Sequence, residues 1–168
     1  MRVFIGSFYN LILTLPDHIT NTLYPEVFNG SYGYKTSFDR AALILSEIFI
    51  TCYTKYLSKG FNNEVYSYLF AMPPAYHGFD NLYTYYDGGA ISETDVTVVM
   101  NRTVAVVLQQ LITSFAKTGV PEAEGVQRSN KYGVDAWMLQ LNNGTGFQQV
   151  KDKTSASRCS WWLDEGYL

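Results

Sequence analysis

The longest periodic pattern of apolar and polar positions lies between residues 38 and 58. Apolar residues recur there every three or four positions, which is the spacing of one face of an α-helix. Ser37 can cap the N-terminus of such a helix, and Gly60 can close its C-terminus in the left-handed conformation. The pattern predicts a helix over about 38–58. Its apolar face would comprise Phe38, Ala41, Leu45, Ile48, Phe49, Cys52 and Tyr56.

A short run of β-branched and aromatic residues follows at 65–71, between an Asn-Asn pair and Pro73-Pro74. Both alternating sets of side chains in this run are largely apolar, which is typical of a strand buried on two faces. Residues 72–89 then form a loop rich in glycine, proline and aromatic residues. Its length and composition indicate a functional or packed loop rather than a simple connection.

A second helix is predicted over about 95–117, where apolar residues again form a wide stripe. Asp95 would lie near its positive end and Lys117 near its negative end, and Gly119 with Pro121 would stop it.

The last predicted element is a β-hairpin. Apolar segments at 137–141 and 147–150 flank a glycine-rich connection of five residues, 142–146. The order of helix, strand, long loop, helix and hairpin shows no internal repeat and no linker. The sequence therefore predicts an α/β arrangement over 1–168, as one domain or a piece of a larger one.

Composition and charge narrow the classes of function. The chain has 168 residues, which suits one domain or a piece of a larger one, and its apolar fraction of 47% argues against disorder. A net charge of -3 without a cluster of Lys and Arg argues against nucleic acid as a partner. No run approaches the roughly 18 consecutive apolar residues of a membrane-spanning helix, so none is expected.

Two features bear on the secretory pathway, and both are weak. Residues 1–15 have the charge and apolar run of a signal peptide, but Asn10 interrupts the run and no small-x-small cleavage site precedes Pro16. A buried segment of a folded protein is the favoured interpretation. Three Asn-x-Ser/Thr sequences are slightly more than chance predicts, and indicate a secreted glycoprotein. Their acceptors are Asn29, Asn101 and Asn143.

The sequence contains few residues of the types that bind metals or cofactors. Cys52 and Cys159 are too few for a disulfide scaffold and too far apart for a zinc knuckle. His18 and His77 have no Cys or second His at the spacing of metal ligands. A glycine-rich phosphate cradle is also absent from the sequence. We expect neither a metal nor a cofactor.

His77 is the strongest candidate for chemistry. It lies just past the carboxyl end of the predicted strand, where α/β enzymes place reactive groups. By residue type alone, a single His on a loop is more often a surface or packed residue, and Asp80 is more often a turn former than a catalytic partner. The sequence contains no G-x-S-x-G nucleophile elbow.

Five segments, taken in order, resemble the C-terminal region of type B carboxylesterases. This group of α/β-hydrolases includes fungal lipases and cholinesterases. Its members have a helix ending near a cysteine, a strand with alternating tyrosines and a His-Gly-x-Asp/Glu loop. The resemblance covers about residues 22–162, and residues 1–21 lie outside it. The five segments are 40–52, 65–70, 75–80, 104–121 and 158–162.

The resemblance implies a C-terminal fragment of an α/β-hydrolase fold, with a partial mixed sheet, two main helices and a C-terminal hairpin. It implies that His77 is the histidine of the catalytic triad and that Cys52 and Cys159 form a disulfide. Tyr76 and Phe79 would line the acyl or alcohol pocket, or else pack the loop onto the sheet.

The same resemblance implies that the nucleophilic serine and the acid are missing. In this fold the triad follows the chain order Ser, then Asp or Glu, then His. Four acidic residues before His77 stand at positions unsuitable for the triad acid: Asp17, Glu26, Asp39 and Glu47. The chain would be an incomplete carboxylic ester hydrolase, as a truncated gene product would be. It would be inactive alone and would bind a small-molecule ester only when the N-terminal part is present.

Other classes of function stay open at this point. The runner-up is a non-catalytic, secreted, aromatic-rich binding module, for example for carbohydrate, with Tyr83, Tyr85 and Tyr86 as its platform. A carbohydrate module usually builds its own closed β core, whereas two strong helices are predicted here. A product without a biological role is the third alternative.

Overall fold

A computed structural model describes residues 21–143, 146–154 and 156–164 of the chain. The two interpretations of residues 1–15, as a signal peptide or as a buried segment, lie outside the described residues, as do Asp17 and His18. The chain forms two compact units. The first contains the described residues of 21–60 together with those from Lys153 onward, and the second spans Phe61–Asp152.

Helical structure in the first unit covers the predicted range. Helix α1 (Ser37–Ser46) continues into a π-helical turn (Glu47–Thr51) and then into helix α2 (Cys52–Gly60). Its cap is Thr36 rather than the predicted Ser37, because the Thr36 side chain accepts a hydrogen bond from the backbone N–H of Asp39. The predicted helix is confirmed, and its N-terminal cap is corrected by one residue.

The C-terminal end of this helical segment also differs from the prediction. Gly60 is the last residue of α2 and does not have a positive φ. The left-handed conformation falls instead on Asn62 and Asn63, with φ of 54° and 59°. Asparagine tolerates this conformation better than other side chains because its short amide can bond locally.

The core of the first unit follows the predicted apolar face only in part. Cys52 is buried as predicted, but Phe38 and Phe49 are exposed. Ile44 and Glu47, which lie outside the predicted face, are buried. A π-helical turn holds more residues than an α-helical turn, so it shifts the phase of the helix and interrupts any regular period. The buried cluster comprises Tyr24, Tyr34, Ile44, Cys52, Cys159 and Trp162.

Helix α5 (Ala156–Asp164) completes the first unit and was not predicted. The segment that encodes it has nine residues, of which four are polar. Its one signal is the spacing of Cys159 and Trp162, which lie three residues apart and are both buried.

The second unit contains a three-stranded mixed sheet. Strand β1 (Tyr68–Phe70) is parallel to β2 (Trp137–Leu141), which is antiparallel to β3 (Phe147–Lys151). The predicted hairpin is therefore confirmed. The predicted burial of β1 on two faces is wrong for the described chain, since Tyr68 and Leu69 are 43% and 42% exposed. With its helices, this sheet is compatible with a partial α/β fold.

Two further helices belong to the second unit. Helix α3 (Asn81–Thr84) lies inside the predicted loop, and helix α4 (Arg102–Thr118) packs its apolar side on the sheet. Helix α4 ends at Gly119, which has a φ of 75°, as predicted. The core here comprises Met72, Phe79, Tyr83, Val99, Val104, Ala105, Val107, Leu108, Leu111, Leu139 and Leu141.

Helix α4 begins at Arg102, seven residues after Asp95, near which the prediction placed its start. Asp95 instead accepts hydrogen bonds from the backbone N–H and the hydroxyl of Thr97, at 2.9 and 2.7 Å, and the side-chain bond most strongly lowers the pKa of Asp95. Such local bonds compete with helix formation. Asn101 is the true cap, since its Oδ1 accepts from the N–H groups of Thr103 and Val104. No helix in the described ranges is both long and apolar enough to cross a bilayer.

Replacing Asn101 with alanine should lower the free energy of unfolding by about 1 kcal/mol, because two N–H groups of the first turn lose their acceptor. Urea denaturation followed by circular dichroism measures this. Asn101→Asp is the control, since it keeps the cap but loses the 2.8 Å bond from Asn101 Nδ2 to Asn143 Oδ1. An equal loss in both variants would contradict the capping role.

Candidate functional site

His77 lies on the turn that follows β1, and its side chain is exposed. Buried Met72 precedes it and buried Phe79 follows it, so the turn is held to the core on both sides. Ala75 has a φ of 53°, an uncommon conformation for a residue with a side chain. The chain therefore presents His77 to solvent at the carboxyl end of β1, where the sequence placed it.

Phe79 holds the turn by aromatic packing. Its ring lies 6.1 Å from that of Phe70 in β1 and 5.9 Å from that of Tyr83 in α3, and both contacts are edge-to-face. Phe70 and Tyr83 also pack edge-to-face at 4.9 Å. Such pairs are favourable beyond the area that they bury. Phe79 thus packs the loop onto the sheet, whereas its neighbour Tyr76 is exposed.

A hydrogen bond ties the same turn to the strand. The hydroxyl of Tyr68 donates to Asp80 Oδ2 at 2.7 Å. Burial, and then the hydrogen bond to Asp80, raise the pKa of Tyr68 well above its ordinary value. The backbone carbonyl of Asp80 also accepts from the N–H groups of Tyr83 and Thr84, at 3.0 and 2.9 Å. Asp80 therefore acts as an anchor between β1, the His77 turn and α3.

Replacing Tyr68 with phenylalanine should loosen the His77 turn, because Asp80 loses its donor from β1. We expect backbone amides of residues 76–80 to exchange with solvent several-fold faster, which corresponds to about 1 kcal/mol of local stability. Hydrogen exchange measured by NMR checks this. Tyr76→Phe is the matched control, since Tyr76 is an exposed tyrosine on the same turn. Equal exchange in the two variants would contradict the anchoring role.

No triad is assembled within the described part of the chain. There, His77 has no hydrogen bond to a serine, an aspartate or a glutamate, and Asp80 is bonded to Tyr68. A general base needs its nucleophile within hydrogen-bond reach, and a carboxylate on its second nitrogen to fix the tautomer. Among the described residues, His77 therefore has neither a nucleophile nor a carboxylate beside it to complete a triad. Its catalytic role stays a prediction.

The structure brings the two cysteines together as predicted. Cys52 at the start of α2 and Cys159 in α5 form a disulfide, and their Cα atoms are 5.2 Å apart. The bond spans 107 residues of sequence. It fastens α5 to the helical segment within the first unit.

A buried polar cluster beside this disulfide was missed by sequence reasoning. Arg158 donates through Nε and a terminal nitrogen to the two carboxylate oxygens of Glu47, at 2.8 and 2.5 Å. The Tyr24 hydroxyl donates to the same carboxylate at 2.6 Å and accepts from Trp162 Nε1 at 2.8 Å. Glu47 was considered only as an unsuitable triad acid. In the structure, Glu47 instead forms a buried ion pair with Arg158. No local sequence pattern predicts an ion pair between residues 111 positions apart.

Burial shapes the acid–base properties of this cluster, which we name the Glu47 cluster (Tyr24, Glu47, Arg158 and Trp162). Burial first, and then the bond to Glu47, raise the pKa of Tyr24 far above its ordinary value. The bond to Glu47 likewise raises the pKa of Arg158. The guanidinium also lies 5.1 Å from the centre of the Tyr24 ring. In the folded protein Tyr24 is therefore a neutral hydrogen-bond donor, and Arg158 stays positively charged.

The three predicted glycosylation acceptors differ in their surroundings. Asn29 and Asn143 are exposed, and Asn29 Oδ1 accepts from the N–H of Ser31. Asn101 is partly buried and uses its amide as the cap of α4. Glycosylation at these positions stays a prediction.

The tyrosine platform of the alternative binding module does not form. Tyr83 is fully buried, and its hydroxyl accepts from the N–H of Met100. Tyr85 is exposed, whereas Tyr86 is partly buried and donates to the carbonyl of Gly89. The three rings therefore do not share an exposed surface.

Comparison with known proteins supports the carboxylesterase resemblance. The chain is similar to carboxylesterase patB of Penicillium expansum, with 33% identity over 145 residues, 86% of this chain and 25% of that protein. It is also similar to carboxylesterase patB of Aspergillus clavatus, with 34% identity over 146 residues and the same shares of the two chains. The chain thus spans about a quarter of the length of these relatives, at their C-terminal end. No family model matches it, and no solved structure matches it.

Proposed function

We propose that this chain is the C-terminal portion of a type B carboxylesterase with the α/β-hydrolase fold, and that His77 is its triad histidine. One observation carries the proposal. Within a chain similar over 86% of its length to part of two carboxylesterases, His77 is presented to solvent on an anchored turn after β1. The small mixed sheet and its helices are compatible with this fold. All of residues 1–168 would then belong to one partial domain.

The chemistry follows from the position of His77. An upstream serine, absent here, would attack the ester carbonyl while the His77 imidazole takes the serine proton. The imidazolium would then give this proton to the leaving alcohol, and a second cycle with water would release the acid. The substrate is a small-molecule carboxylic ester, bound only when the N-terminal part is present. No cofactor enters this scheme.

Residues of this chain would hold His77 in place for these proton transfers. The Tyr68–Asp80 hydrogen bond and the packing of Phe79 fix the turn. Exposed Tyr76, the neighbour of His77, would contact the acyl or alcohol group, with Phe79 supporting the pocket from the core. A misplacement of about 1 Å in such a group can cost about 10²-fold in rate.

We further propose that the protein is secreted or passes through the secretory pathway. The disulfide Cys52–Cys159 is of the kind that persists in oxidising compartments. Asn29, Asn101 and Asn143 would be the acceptors for glycans.

The proposal predicts that ester hydrolysis requires the missing part. The full chain should be co-expressed in an oxidising compartment with the N-terminal three-quarters of carboxylesterase patB from Penicillium expansum, and assayed with a short-chain ester. We expect hydrolysis from the pair and none from this chain alone, which lacks a nucleophile. His77→Ala should abolish it, by at least about 10³-fold, whereas His18→Ala, at the chain's other histidine, should not.

Two results would contradict the proposed function. One is a pair that assembles and hydrolyses the ester equally well with His77→Ala. The other is saturable hydrolysis by the isolated chain that His77→Ala abolishes, since that would require a nucleophile within residues 1–168.

A further inference from the structure

The two tryptophans of helix α5 form a path into the core of the first unit. Trp161 is partly exposed and Trp162 is buried, and their rings meet edge-to-face with centroids 5.0 Å apart. Trp162 continues the path inward, because its Nε1 donates a 2.8 Å hydrogen bond to the hydroxyl of Tyr24. The ring centroids of Trp162 and Tyr24 lie 6.4 Å apart, and Tyr24 is fully buried. Three easily oxidised aromatic rings thus lead from the protein surface to the carboxylate of Glu47.

Tyr24 is placed to lose an electron and a proton together. Its hydroxyl donates to Glu47 Oε2 at 2.6 Å, the short distance expected when the acceptor is ionised. The Arg158 guanidinium lies 5.1 Å from the centre of the Tyr24 ring, so it would repel a positive charge on this ring. Loss of an electron from Tyr24 therefore has to be coupled to transfer of its proton to Glu47. The product is a neutral tyrosyl radical.

Trp162 meets a much weaker base. Its indole N–H donates to the phenolic oxygen of Tyr24, which accepts a proton far less readily than a carboxylate does. A radical cation formed on Trp162 would therefore keep its proton and stay a strong oxidant beside Tyr24.

Electron transfer from Tyr24 to this radical cation is favoured by the charges of the buried site. With proton transfer to Glu47, the step removes one positive and one negative charge from the interior at once, and isolated buried charges are costly. The charge that remains is on Arg158, whose side chain is 16% exposed and so reaches solvent.

We propose that Trp161, Trp162 and Tyr24 form a relay that carries an oxidising equivalent from the protein surface to Tyr24. Its substrate is a one-electron oxidising radical in solution, which takes one electron from Trp161 and becomes an anion. Trp162 then reduces Trp161, and Tyr24 gives an electron to Trp162 and its hydroxyl proton to Glu47. Both tryptophans are restored, and the oxidation ends as a neutral Tyr24 radical beside a protonated Glu47. This activity goes beyond ester hydrolysis and uses no residue of the His77 turn.

Tyr34 provides a matched comparison in the same buried cluster. It is 1% exposed, but its hydroxyl donates to the backbone carbonyl of Pro25 at 2.6 Å and not to a carboxylate. A carbonyl oxygen cannot hold the phenolic proton as a carboxylate can. Tyr34 should therefore stay reduced under conditions in which Tyr24 is oxidised.

Pulse radiolysis of the full chain with azidyl radicals tests the relay. A Trp137→Phe background leaves Trp161 and Trp162 as the only indoles of the sequence. The absorbance of the tryptophanyl radical should decay while that of a tyrosyl radical rises, with one rate constant that does not depend on protein concentration. Tyr24→Phe should slow this step at least about 10-fold, whereas Tyr34→Phe should leave it unchanged. Circular dichroism verifies that both variants fold.

Two further measurements leave the hydrogen bonds of the cluster in place. In protein equilibrated with D₂O, the transfer should be slower than in H₂O, because the hydroxyl proton of Tyr24 moves with the electron. A fluorinated tyrosine at position 24 should add a fluorine splitting to the electron paramagnetic resonance spectrum of the radical. This substitution keeps the hydroxyl, so it locates the radical even if Tyr24→Phe does not fold.

Four results would overturn the relay. They are a tyrosyl signal that rises equally fast in Tyr24→Phe, an equal slowing in Tyr34→Phe, an equal rate in D₂O, and a spectrum without the fluorine splitting. Ester hydrolysis has no part in these measurements, so their outcome leaves the proposed function unchanged.

Discussion

Replacing Arg158 with alanine should lower the free energy of unfolding of the first unit by about 3–5 kcal/mol. The variant leaves the carboxylate of Glu47 buried without its cation, and an uncompensated buried charge is strongly destabilising. The Glu47 side chain is only 2% exposed, so solvent cannot replace the lost partner. Since small domains are stable by about 5–15 kcal/mol in total, this loss is a large fraction of the total stability.

Urea denaturation followed by fluorescence of Trp161 and Trp162 measures this loss in the first unit. A Trp137→Phe background removes the tryptophan of the second unit from the signal. Arg158→Lys should give an intermediate loss, because a lysine keeps the charge but cannot form the two-pronged bond.

The matched control for Arg158→Ala is an exposed ion pair. Arg40 Nη1 lies 3.3 Å from Glu26 Oε1 in the first unit, and the Glu26 side chain is 68% exposed, so Glu26→Gln should cost no more than about 1 kcal/mol. An Arg158→Ala variant that loses no more than Glu26→Gln would contradict the structural role of the Glu47 cluster.

Removing the disulfide should have the second large effect. Replacing Cys52 and Cys159 together with alanine releases a loop of 107 residues in the unfolded chain. Loop entropy alone then predicts a loss of about 4–5 kcal/mol in the free energy of unfolding. The oxidised chain and the double variant should be compared by urea denaturation in the same Trp137→Phe background.

Combining the two changes gives a sharper test of the disulfide. Arg158 is the neighbour of Cys159, so both interactions hold α5 in place and their losses should not add. The triple variant should lose less than the sum of the separate losses. Equal stability of the oxidised chain and the double cysteine variant would contradict a stabilising role for the bond.

Regular periodicity predicted the elements that local sequence determines. The 38–58 helix, the end of α4 at Gly119 and the 137–150 hairpin all follow from apolar spacing and from glycine at defined positions. The start of α4 could not be predicted in this way. Asp95 and Asn101 are both good caps, and the local bonds of Asp95 to Thr97 decide between them.

Long-range contacts explain the remaining differences. The burial of Glu47 depends on Arg158, which lies 111 residues away, and no period connects the two positions. The exposure of β1 depends on how many strands flank it, which its own residues do not encode. The disulfide was predicted only through the resemblance to carboxylesterases. The placement of His77 after a strand followed from the sequence alone.

The first unit is built from two parts of the chain that are distant in sequence, so the ribosome synthesises these parts at different times. Residues 61–152 emerge between the two parts, so the second unit can fold while α5 is still untranslated. Until α5 emerges, Cys52 cannot pair with Cys159 and Glu47 stays without Arg158. The nascent first unit therefore cannot close before α5 has left the exit tunnel.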